Sequence, residues 1–472
     1  MTAGLLLRGA TVVAMDPQRT VAERDILVGQ DGRIAALLEP GQAPADFDGR
    51  TLDATGRVVV PGLIQAHLHL CQTLFRGLAE VLPLLRWLRE RIWPLEAAHD
   101  PASIAASARL GVAELLLGGT TAILDMGTVH HTDALLGAVA EGGIRYVGGK
   151  AMMDAGEGVP PGLLEDTGAS LRESDRLAER WHGAAEGRLR YAYCPRFVLT
   201  CSPELMRGVA ERARAADMVI HTHASEQREE GELVRWHFGM PNIQFLASLG
   251  LSGPRMVLAH CVWPDPHEPA LLASAGTNVV HCPSCNLKLS SGIAPIAEYV
   301  DQGVNVALGA DGAASNNLLD GWAELRLAGL LSRLRDGSGA PSALRLFEMA
   351  TLGGARALGL EDQIGSLEPG KWADLAMLDL RAPHATGPQD IYSQLVFATR
   401  VDNVRTVLVG GRIVVEERAL QTLNEAEVLR DAAQQWQRLA ARAGLEVPGL
   451  SDEGRVAGSA ERAGALAPPT PA

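Results

Sequence analysis

Hydrophobic residues along the chain fall into two kinds of segment. Short apolar runs, rich in β-branched residues, recur through the middle of the chain, and segments with helical spacing separate most of them. The eight runs are 58–67, 119–126, 144–152, 189–195, 218–223, 255–261, 277–283 and 304–311. Eight strands that alternate with helices over about 250–300 residues predict a (β/α)₈ barrel. An open doubly wound sheet is the alternative, but it usually has fewer strands, and no GxGxxG motif follows a strand here.

The clearest helical patterns lie between and after these runs. Residues 102–119 and 202–218 repeat apolar residues at i, i+3 and i+4, and the first segment ends at paired glycines. After residue 424, the segment EAEVLRDAAQQWQRLAARAG predicts one amphipathic helix, and we assign 421–448 to it. Residues 449–472 are rich in Ala, Gly, Pro and Ser and are expected to form a disordered tail.

Both ends of the chain carry strand patterns without long helices. Residues 1–57 have the pattern of short strands joined by turns, and the pattern returns at 374–380 and 404–417. We therefore predict a small β-sandwich, built from both chain ends, beside the barrel. The predicted limits are 1–57 and 366–420 for the two parts of the sandwich and 58–365 for the barrel.

Composition and charge exclude several classes of protein. The 472 residues are 47% hydrophobic and 21% charged, as in a globular protein. Lys and Arg number 42 and Asp and Glu number 56, a net charge of −14 that argues against binding to nucleic acid or to an anionic membrane. Six cysteines are too few for a disulfide framework. Because the sequence shows no signal peptide and no apolar run of about 18 residues, we expect a cytoplasmic location.

Polar residues suited to metal binding occur at the ends of three predicted strands. His67 and His69 end the first, His223 ends the fifth and Asp311 ends the eighth. The carboxyl ends of barrel strands form one rim, where active sites lie. Because residues i and i+2 of a strand face the same side, His67 and His69 can present two imidazoles to one ion. Three nitrogen ligands and one oxygen ligand predict one catalytic divalent cation, Zn²⁺ first, with Fe²⁺ and Mn²⁺ as alternatives.

Neighbouring residues add one candidate for proton transfer and three residues with structural interpretations. Glu226 follows His223 by three positions, a spacing that suits a carboxylate placed over the ion to carry protons, although a solvated surface residue is the alternative. His221 should face the other side of its strand and fill a polar niche in the barrel wall. Cys282 and Cys285 form a CxxC motif without a second pair, so we interpret them as packing or turn residues.

Several longer stretches resemble the amidohydrolase superfamily, and more closely its aminohydrolase branch. They are PGLIQAHLHLCQTLFRGLAE, LPLLRWLRERIWPLEAAHD, HTHASE, LAHCVW, HCPSCNLKLSSGIAPI, LGADGAASNN and IGSLEPGKWADLAMLDL, and the resemblance extends over about residues 5–420. One departure is Cys285, where relatives often have Ser or Ala. The roles that the resemblance implies are metal ligation by His67, His69, His223 and Asp311 and proton transfer by Glu226 and His260.

The resemblance also implies the class of substrate. The most similar stretches resemble deaminases of 5′-deoxyadenosine, S-adenosylhomocysteine and methylthioadenosine, in which a Glu matching Glu96 holds the ribose hydroxyls. Gln72 and Arg196 match guanine deaminases instead, in which that Gln and Arg hold the purine edge; an Arg fork donates two parallel hydrogen bonds. An aminopurine ring is therefore implied, with Glu226 also among the substrate contacts. The adenine nucleosides are favoured, and guanine or 8-oxoguanine is the alternative.

The expected reaction is hydrolytic deamination. Hydroxide held by the metal attacks the ring carbon that bears the amine, Asp311 or His260 takes the proton of the water, and Glu226 protonates the ring nitrogen and helps to release ammonia. A triazine hydrolase would use the same fold, but chloride leaves without a proton, which argues against it. A non-catalytic scaffold is the third alternative. We expect a small-molecule substrate and neither a nucleic-acid nor a membrane partner; a homo-oligomer is compatible with the sequence.

Overall fold

A computed structural model describes residues 4–44, 47–77 and 82–444. Strands and helices alternate through most of this range, and the chain begins with strands alone. The strands are β1 Leu5–Val13, β2 Val21–Val28, β3 Ile34–Leu38, β4 Arg50–Asp53, β5 Val58–Pro61, β6 Leu63–Leu68, β7 Thr120–Asp125, β8 Arg145–Gly148, β9 Ala151–Met152, β10 Leu189–Tyr191, β11 Cys194–Pro195, β12 Ile220–Ala224, β13 Met256–His260, β14 Asn278–His281, β15 Val306–Leu308, β16 Leu375–Leu378, β17 Val404–Val409, β18 Arg412–Glu416 and β19 Ala419–Leu420.

The α-helices range from single turns to five turns. They are α1 Leu84–Trp87, α2 Trp93–Ala97, α3 Pro101–Leu117, α4 Thr132–Gly142, α5 Thr167–Trp181, α6 Pro203–Ala216, α7 Arg228–Phe238, α8 Asn242–Ser248, α9 Glu268–Ala275, α10 Pro283–Lys288, α11 Ile296–Asp301, α12 Ala313–Asn316, α13 Gly321–Asp336, α14 Ala343–Glu348, α15 Gly354–Ala357, α16 Ile391–Phe397 and α17 Glu425–Ala443. Short 3₁₀ or π turns lie at Leu70–Phe75, Leu88–Ile92, Val198–Thr200, Gly337–Gly339, Met349–Gly353, Pro383–Ala385 and Val401–Asn403.

The middle of the chain forms the predicted (β/α)₈ barrel. β6, β7, β8 and β10 pair in parallel as one arc, and β12, β13, β14 and β15 pair in parallel as the other. Parallel bridges between Tyr193 and Ile220 and between Leu68 and Asp311 join the two arcs. β9 and β11 extend the third and fourth positions of the ring and pair with each other. The carboxyl ends of all these strands therefore meet at one rim.

The first apolar run, 58–67, contains two strands rather than the single barrel strand that its pattern predicts. β5 belongs to the sheet formed by the chain ends, and β6 belongs to the barrel. Gly62 lies between them, and a Cβ atom there would come within 2.2 Å of the Thr121 side chain. The run has no polar break because both strands are buried, so periodicity does not reveal the change of sheet.

The chain ends form one nine-stranded sheet beside the barrel. Its order is β19-β18-β17-β16-β5-β1-β2-β3, with β4 paired to β1, so N-terminal and C-terminal strands meet where β5 pairs with β16. The sheet encloses an apolar cluster of its own that includes Leu7, Ile26, Val59 and Leu375. A small β-sandwich domain built from both chain ends thus lies beside the barrel, as predicted, while the domain limits given above stay a prediction.

The predicted helices have the expected positions and starting signals. Asp100 precedes α3, and its side chain accepts from the Ser103 backbone N–H in a capping box. Ser202 precedes α6, and its side chain accepts from the Leu205 backbone N–H. α17 lies within the predicted C-terminal helix, 421–448, whereas the predicted tail, 449–472, is outside the described residues. None of the helices in the described ranges combines the length and the apolar character that crossing a membrane requires.

Candidate metal centre and active site

The four residues predicted as metal ligands meet at the carboxyl rim of the barrel. His67 lies in β6, His69 directly follows it and His223 lies in β12, whereas Asp311 follows β15 by three residues and does not end that strand as predicted. Their ligand atoms all lie within 4.8 Å of one another. Asp311 Oδ1 is 3.1 Å from His67 Nε2 and 3.3 Å from His69 Nε2. One ion could therefore contact all four side chains.

A chain of hydrogen bonds fixes which nitrogen of His67 faces this cluster. The Val257 carbonyl accepts from His221 Nδ1 at 3.3 Å, so Nδ1 of His221 carries the hydrogen and its Nε2 is an acceptor. That Nε2 lies 2.7 Å from His67 Nδ1, which must then be the donor. His67 Nε2 is left as a bare lone pair, is buried, and makes no hydrogen bond. Because it faces an oxygen of Asp311, two acceptors oppose each other, as they do around a cation.

His223 is oriented in the same way by a main-chain carbonyl. Its Nδ1 donates to the carbonyl oxygen of Arg196 at 2.7 Å, so its Nε2 carries the free lone pair. This Nε2 lies 3.1 Å from Nε2 of His69. Hydrogen bonds that fix the outer nitrogen are the usual support of a metal-ligating histidine.

The protonation states of the four side chains match a divalent cation. Burial lowers the pKa of His67, and it lowers the pKa values of His69 and His223 well below the ordinary histidine value, so these imidazoles are neutral near pH 7. Asp311 has a pKa well below the usual range, although burial opposes its ionisation. Neutral imidazoles and a carboxylate are the forms that bind Zn²⁺, so the residues present fit the predicted ion.

Glu226 and His260 lie close to each other beside this cluster. Burial raises the pKa of Glu226 to about 7, and Ser291 donates to its Oε1 at 3.3 Å. Burial alone would lower the pKa of His260, but the carboxylates of Glu226 and Asp311 raise it above its ordinary value. His260 Nε2 is 3.6 Å from Glu226 Oε2. Both groups can therefore exchange a proton near neutral pH.

Three site residues, or their neighbours, occupy left-handed backbone conformations at strand ends. φ is +51° at Ser225, +72° at His260 and +61° at Asp311, and Cys261 has φ of +44°. Each such residue costs on the order of 1–3 kcal/mol, which the surrounding packing must offset. These left-handed residues turn the chain where Glu226, His260 and Asp311 leave the rim.

Three of the four residues predicted to contact substrate, all but Glu226, form one buried cluster. Arg196, after β11, donates to Glu96 Oε2 at 2.5 Å and to Glu96 Oε1 at 3.2 Å. Gln72 Nε2 donates to Glu96 Oε1 at 2.9 Å, while Gln72 Oε1 is buried without a hydrogen-bond partner. Gln72 and Arg196 line the cavity above the metal cluster, and Glu96, though buried at 7% exposure, is not among the lining residues.

Polar and apolar side chains both line the cavity. Its empty volume is about 430 Å³, including space that opens to solvent. Its polar lining includes three of the four candidate ligands together with Glu226 and His260, and its apolar lining includes Trp87, Leu88 and Leu289. A flat apolar ring with polar edges suits such a cavity, since ligand pockets pair apolar walls with a few placed polar groups.

Several supporting residues were not identified from the sequence. His221 was predicted to face away from His223 into a polar niche, which is wrong: residues i and i+2 of a strand share a face, and His221 Nε2 lies 2.7 Å from His67 Nδ1. Glu230 accepts from the Glu226 backbone N–H at 2.7 Å, and Asn286 Oδ1 lies 2.9 Å from His260 Nδ1. The signal available for His221 was the HxH spacing that it shares with His223. Glu230 and Asn286 contact Glu226 and His260 beside turns, and the hydrophobic pattern does not predict the shape of a turn.

Comparison with known proteins shows which family and which sequences this chain is similar to. The family model described as amidohydrolase family matches residues 58–414. The 5′-deoxyadenosine deaminase of Methanothermobacter thermautotrophicus is 42% identical over 405 residues, 85% of this chain and 91% of that protein. The 5-methylthioadenosine/S-adenosylhomocysteine deaminase of Natronomonas pharaonis is 40% identical over 430 residues, 91% of this chain and 97% of that protein.

Solved structures show the same likeness over nearly the whole chain. A zinc-bound adenosine deaminase from Xanthomonas campestris superimposes with a TM-score of 0.87 at 32% identity, covering 93% of this chain and 99% of that one. The guanine deaminase of E. coli gives a TM-score of 0.78 at 30% identity, covering 87% of this chain and 99% of that one.

Proposed function

This chain belongs to the amidohydrolase family, and we propose that it is a metal-dependent deaminase of adenine nucleosides of the 5′-deoxyadenosine, 5-methylthioadenosine and S-adenosylhomocysteine type. The names of the two relatives support the substrate class. One structural observation carries the chemistry: a carboxyl group with a pKa of about 7, that of Glu226, lies in the same cavity as a set of three histidines and one aspartate.

We assign the cation to His67, His69, His223 and Asp311, with Zn²⁺ as the ion, which the zinc-bound X. campestris structure supports. A divalent cation lowers the pKa of a coordinated water to about 7 and so makes hydroxide available at neutral pH. The role of the chain is to hold three neutral imidazoles and one carboxylate in place before any ion or substrate arrives, so that little ordering remains to be done.

Glu226 supplies the proton that distinguishes deamination from chloride displacement. Near pH 7 about half of its carboxyl groups carry a proton, which can pass to the ring nitrogen beside the carbon under attack. This prevents a costly anion on the ring, and the amine also needs a proton in order to leave as ammonia. His260 and Asp311 are the candidates that accept the proton of the attacking water. A triazine that loses chloride would not need the acid, so the pKa of Glu226 favours deamination.

Guanine is a second candidate substrate because of Gln72. Gln72 and Arg196 both line the cavity, and Gln72 Oε1 is buried without a hydrogen-bond partner. An acceptor and a donor in one cavity can complement an edge that offers both an N–H and a carbonyl, as guanine does. In a nucleoside the same acceptor can instead take a ribose hydroxyl, which is our preferred reading.

Ammonia release from a panel of substrates tests the proposal. The panel comprises 5′-deoxyadenosine, 5-methylthioadenosine, S-adenosylhomocysteine, guanine, 8-oxoguanine, pterins and aminotriazines, with Glu226→Gln as the control that should keep the ion and lose the rate. We expect turnover of the three adenine nucleosides. Turnover of guanine alone would select the second candidate, and no ammonia from any compound by metal-loaded protein would contradict deamination.

A further inference from the structure

A second group of metal-ligating side chains adjoins the metal cluster. Glu226, His260 and Cys285 bring a carboxylate oxygen, an imidazole nitrogen and a thiol sulfur within 4.8 Å of one another, and all three residues are buried. They come from three separate elements: the turn after β12, the end of β13 and α10. The other cysteine of the CxxC motif, Cys282, is not part of the group, although it is equally buried.

The hydrogen bonding of His260 leaves a ligand nitrogen free in this group. Asn286 Oδ1 accepts from His260 Nδ1 at 2.9 Å, so the lone pair is on Nε2. Nε2 lies 3.6 Å from Glu226 Oε2, too far for a hydrogen bond. Two ligands bound tetrahedrally to one Zn²⁺ at about 2.1 Å would be about 3.4 Å apart, so this gap suits a cation and needs little movement.

We propose that Glu226, His260 and Cys285 form a second site, for a thiophilic divalent cation such as Zn²⁺ or Cd²⁺, and that filling it inhibits the enzyme. Thiolate and imidazole ligands select these ions over Mg²⁺ or Ca²⁺. The carboxylate and the thiolate bring two negative charges, and the thiol proton, together with any proton held by Glu226 or His260, leaves to solvent as the ion binds.

The position of this second site explains both its weakness and its effect. Cys285 hydrogen-bonds to Asp311, which belongs to the first cluster, so two cations would lie close together and repel each other. The second ion should therefore bind more weakly than the first. Glu226 and His260 line the cavity, so the ion would occupy the space of the substrate ring and remove the proton carrier. Inhibition should be competitive with substrate.

Cadmium binding to the holoenzyme with one ion per chain tests this without any substrate. Ultraviolet charge-transfer absorption reports a cadmium–thiolate bond, and elemental analysis counts both the resident ion and the added cadmium. We expect the wild type to bind one cadmium ion beyond the resident ion, with the absorption band. Cys285→Ser should keep the resident ion and lose both the band and the extra cadmium. Cys282→Ser, the matched control in the same motif, should behave like the wild type.

Two results would overturn the proposal: no extra cadmium in the wild type, or an equal band and equal uptake in Cys285→Ser. Displacement of the resident ion, seen as one cadmium and no zinc, would count as no extra cadmium. Inhibition is measured second, as ammonia release against added Zn²⁺, and Cys285→Ser should be resistant. Because the binding and absorption measurements use no substrate, a wrong substrate class would leave them unaffected.

Discussion

Replacing Glu96 by alanine should destabilise the barrel by about 3–5 kcal/mol, because Arg196 would then be buried without a counter-charge. Both side chains are 5% exposed, and two hydrogen bonds join them. The matched control is the exposed pair Arg109–Glu141, with an N···O distance of 2.8 Å and side chains 32% and 50% exposed. Glu141→Ala should cost less than about 1 kcal/mol.

Urea unfolding of the metal-loaded protein, at a fixed concentration of free metal, measures both values from the midpoint and slope of the barrel transition. The double variant Glu96→Leu/Arg196→Met removes both charges and should recover most of the loss, because no unpaired charge remains. A cost below about 1 kcal/mol for Glu96→Ala, or a double variant as unstable as the sum of the single ones, would refute the reasoning.

The same ion pair limits how Glu96 can bind ribose. A carboxylate has about four acceptor positions. Gln72 and Arg196 occupy two on Oε1, and Arg196 occupies one on Oε2, so one position is left for a ribose hydroxyl. We therefore expect Glu96→Gln to lower kcat/KM on 5′-deoxyadenosine by a factor that corresponds to about 1.5–3 kcal/mol of transition-state stabilisation. Only one of the 2′ and 3′ hydroxyls should account for this loss. Equal losses from the 2′-deoxy and 3′-deoxy analogues would contradict this count.

Three further outcomes are expected at the metal centre. His67→Ala/His69→Ala should lose the bound ion and all activity; an equivalent of metal retained after dialysis would show that the ligands were assigned wrongly. Glu226→Gln should keep the ion and lose at least about 10²-fold in rate. In the wild type the rate should fall as pH rises above about 7, where Glu226 loses its proton; a rate that stays constant there would show that Glu226 is not the acid. His221→Phe should weaken metal binding about 10–100-fold in a competition assay, whereas replacing the buried His281 should not.

The hydrophobic pattern of the sequence predicted the fold because the barrel repeats one unit, a strand followed by a helix. Each barrel strand is buried on both faces and each following helix on one, so apolar runs and helical spacing alternate along the chain. The change of sheet at Gly62 escaped this reasoning, because β5 and β6 are both buried and periodicity does not register which sheet a strand joins. The Pro61-Gly62 pair was the turn signal available at that point.

The positions of the candidate ligands were easier to predict than those of the candidate substrate contacts, for a related reason. His67, His69 and His223 follow from strand alternation and from the meeting of strand ends at one rim, which are local rules. The ion pair of Glu96 and Arg196 joins residues 100 positions apart, on elements whose relative placement depends on packing. The resemblance gave these two residues opposing roles. In the structure each oxygen of Glu96 accepts from Arg196, so a change at either residue also changes the surroundings of the other.

What the pattern could not supply at the metal centre is the direction of the hydrogen bonds. Each ligand histidine can present either ring nitrogen, and the choice depends on what its other nitrogen contacts. For His223 that contact is a main-chain carbonyl, which can only accept; for His67 it is His221, itself set by the carbonyl of Val257. The carbonyls are oriented by the parallel ladder of the barrel, since Val257 pairs with His221 in the register of β12 and β13. The backbone register of two strands therefore decides that the lone pairs face the ion, so a change that shifts this register should cost metal affinity even where every ligand remains.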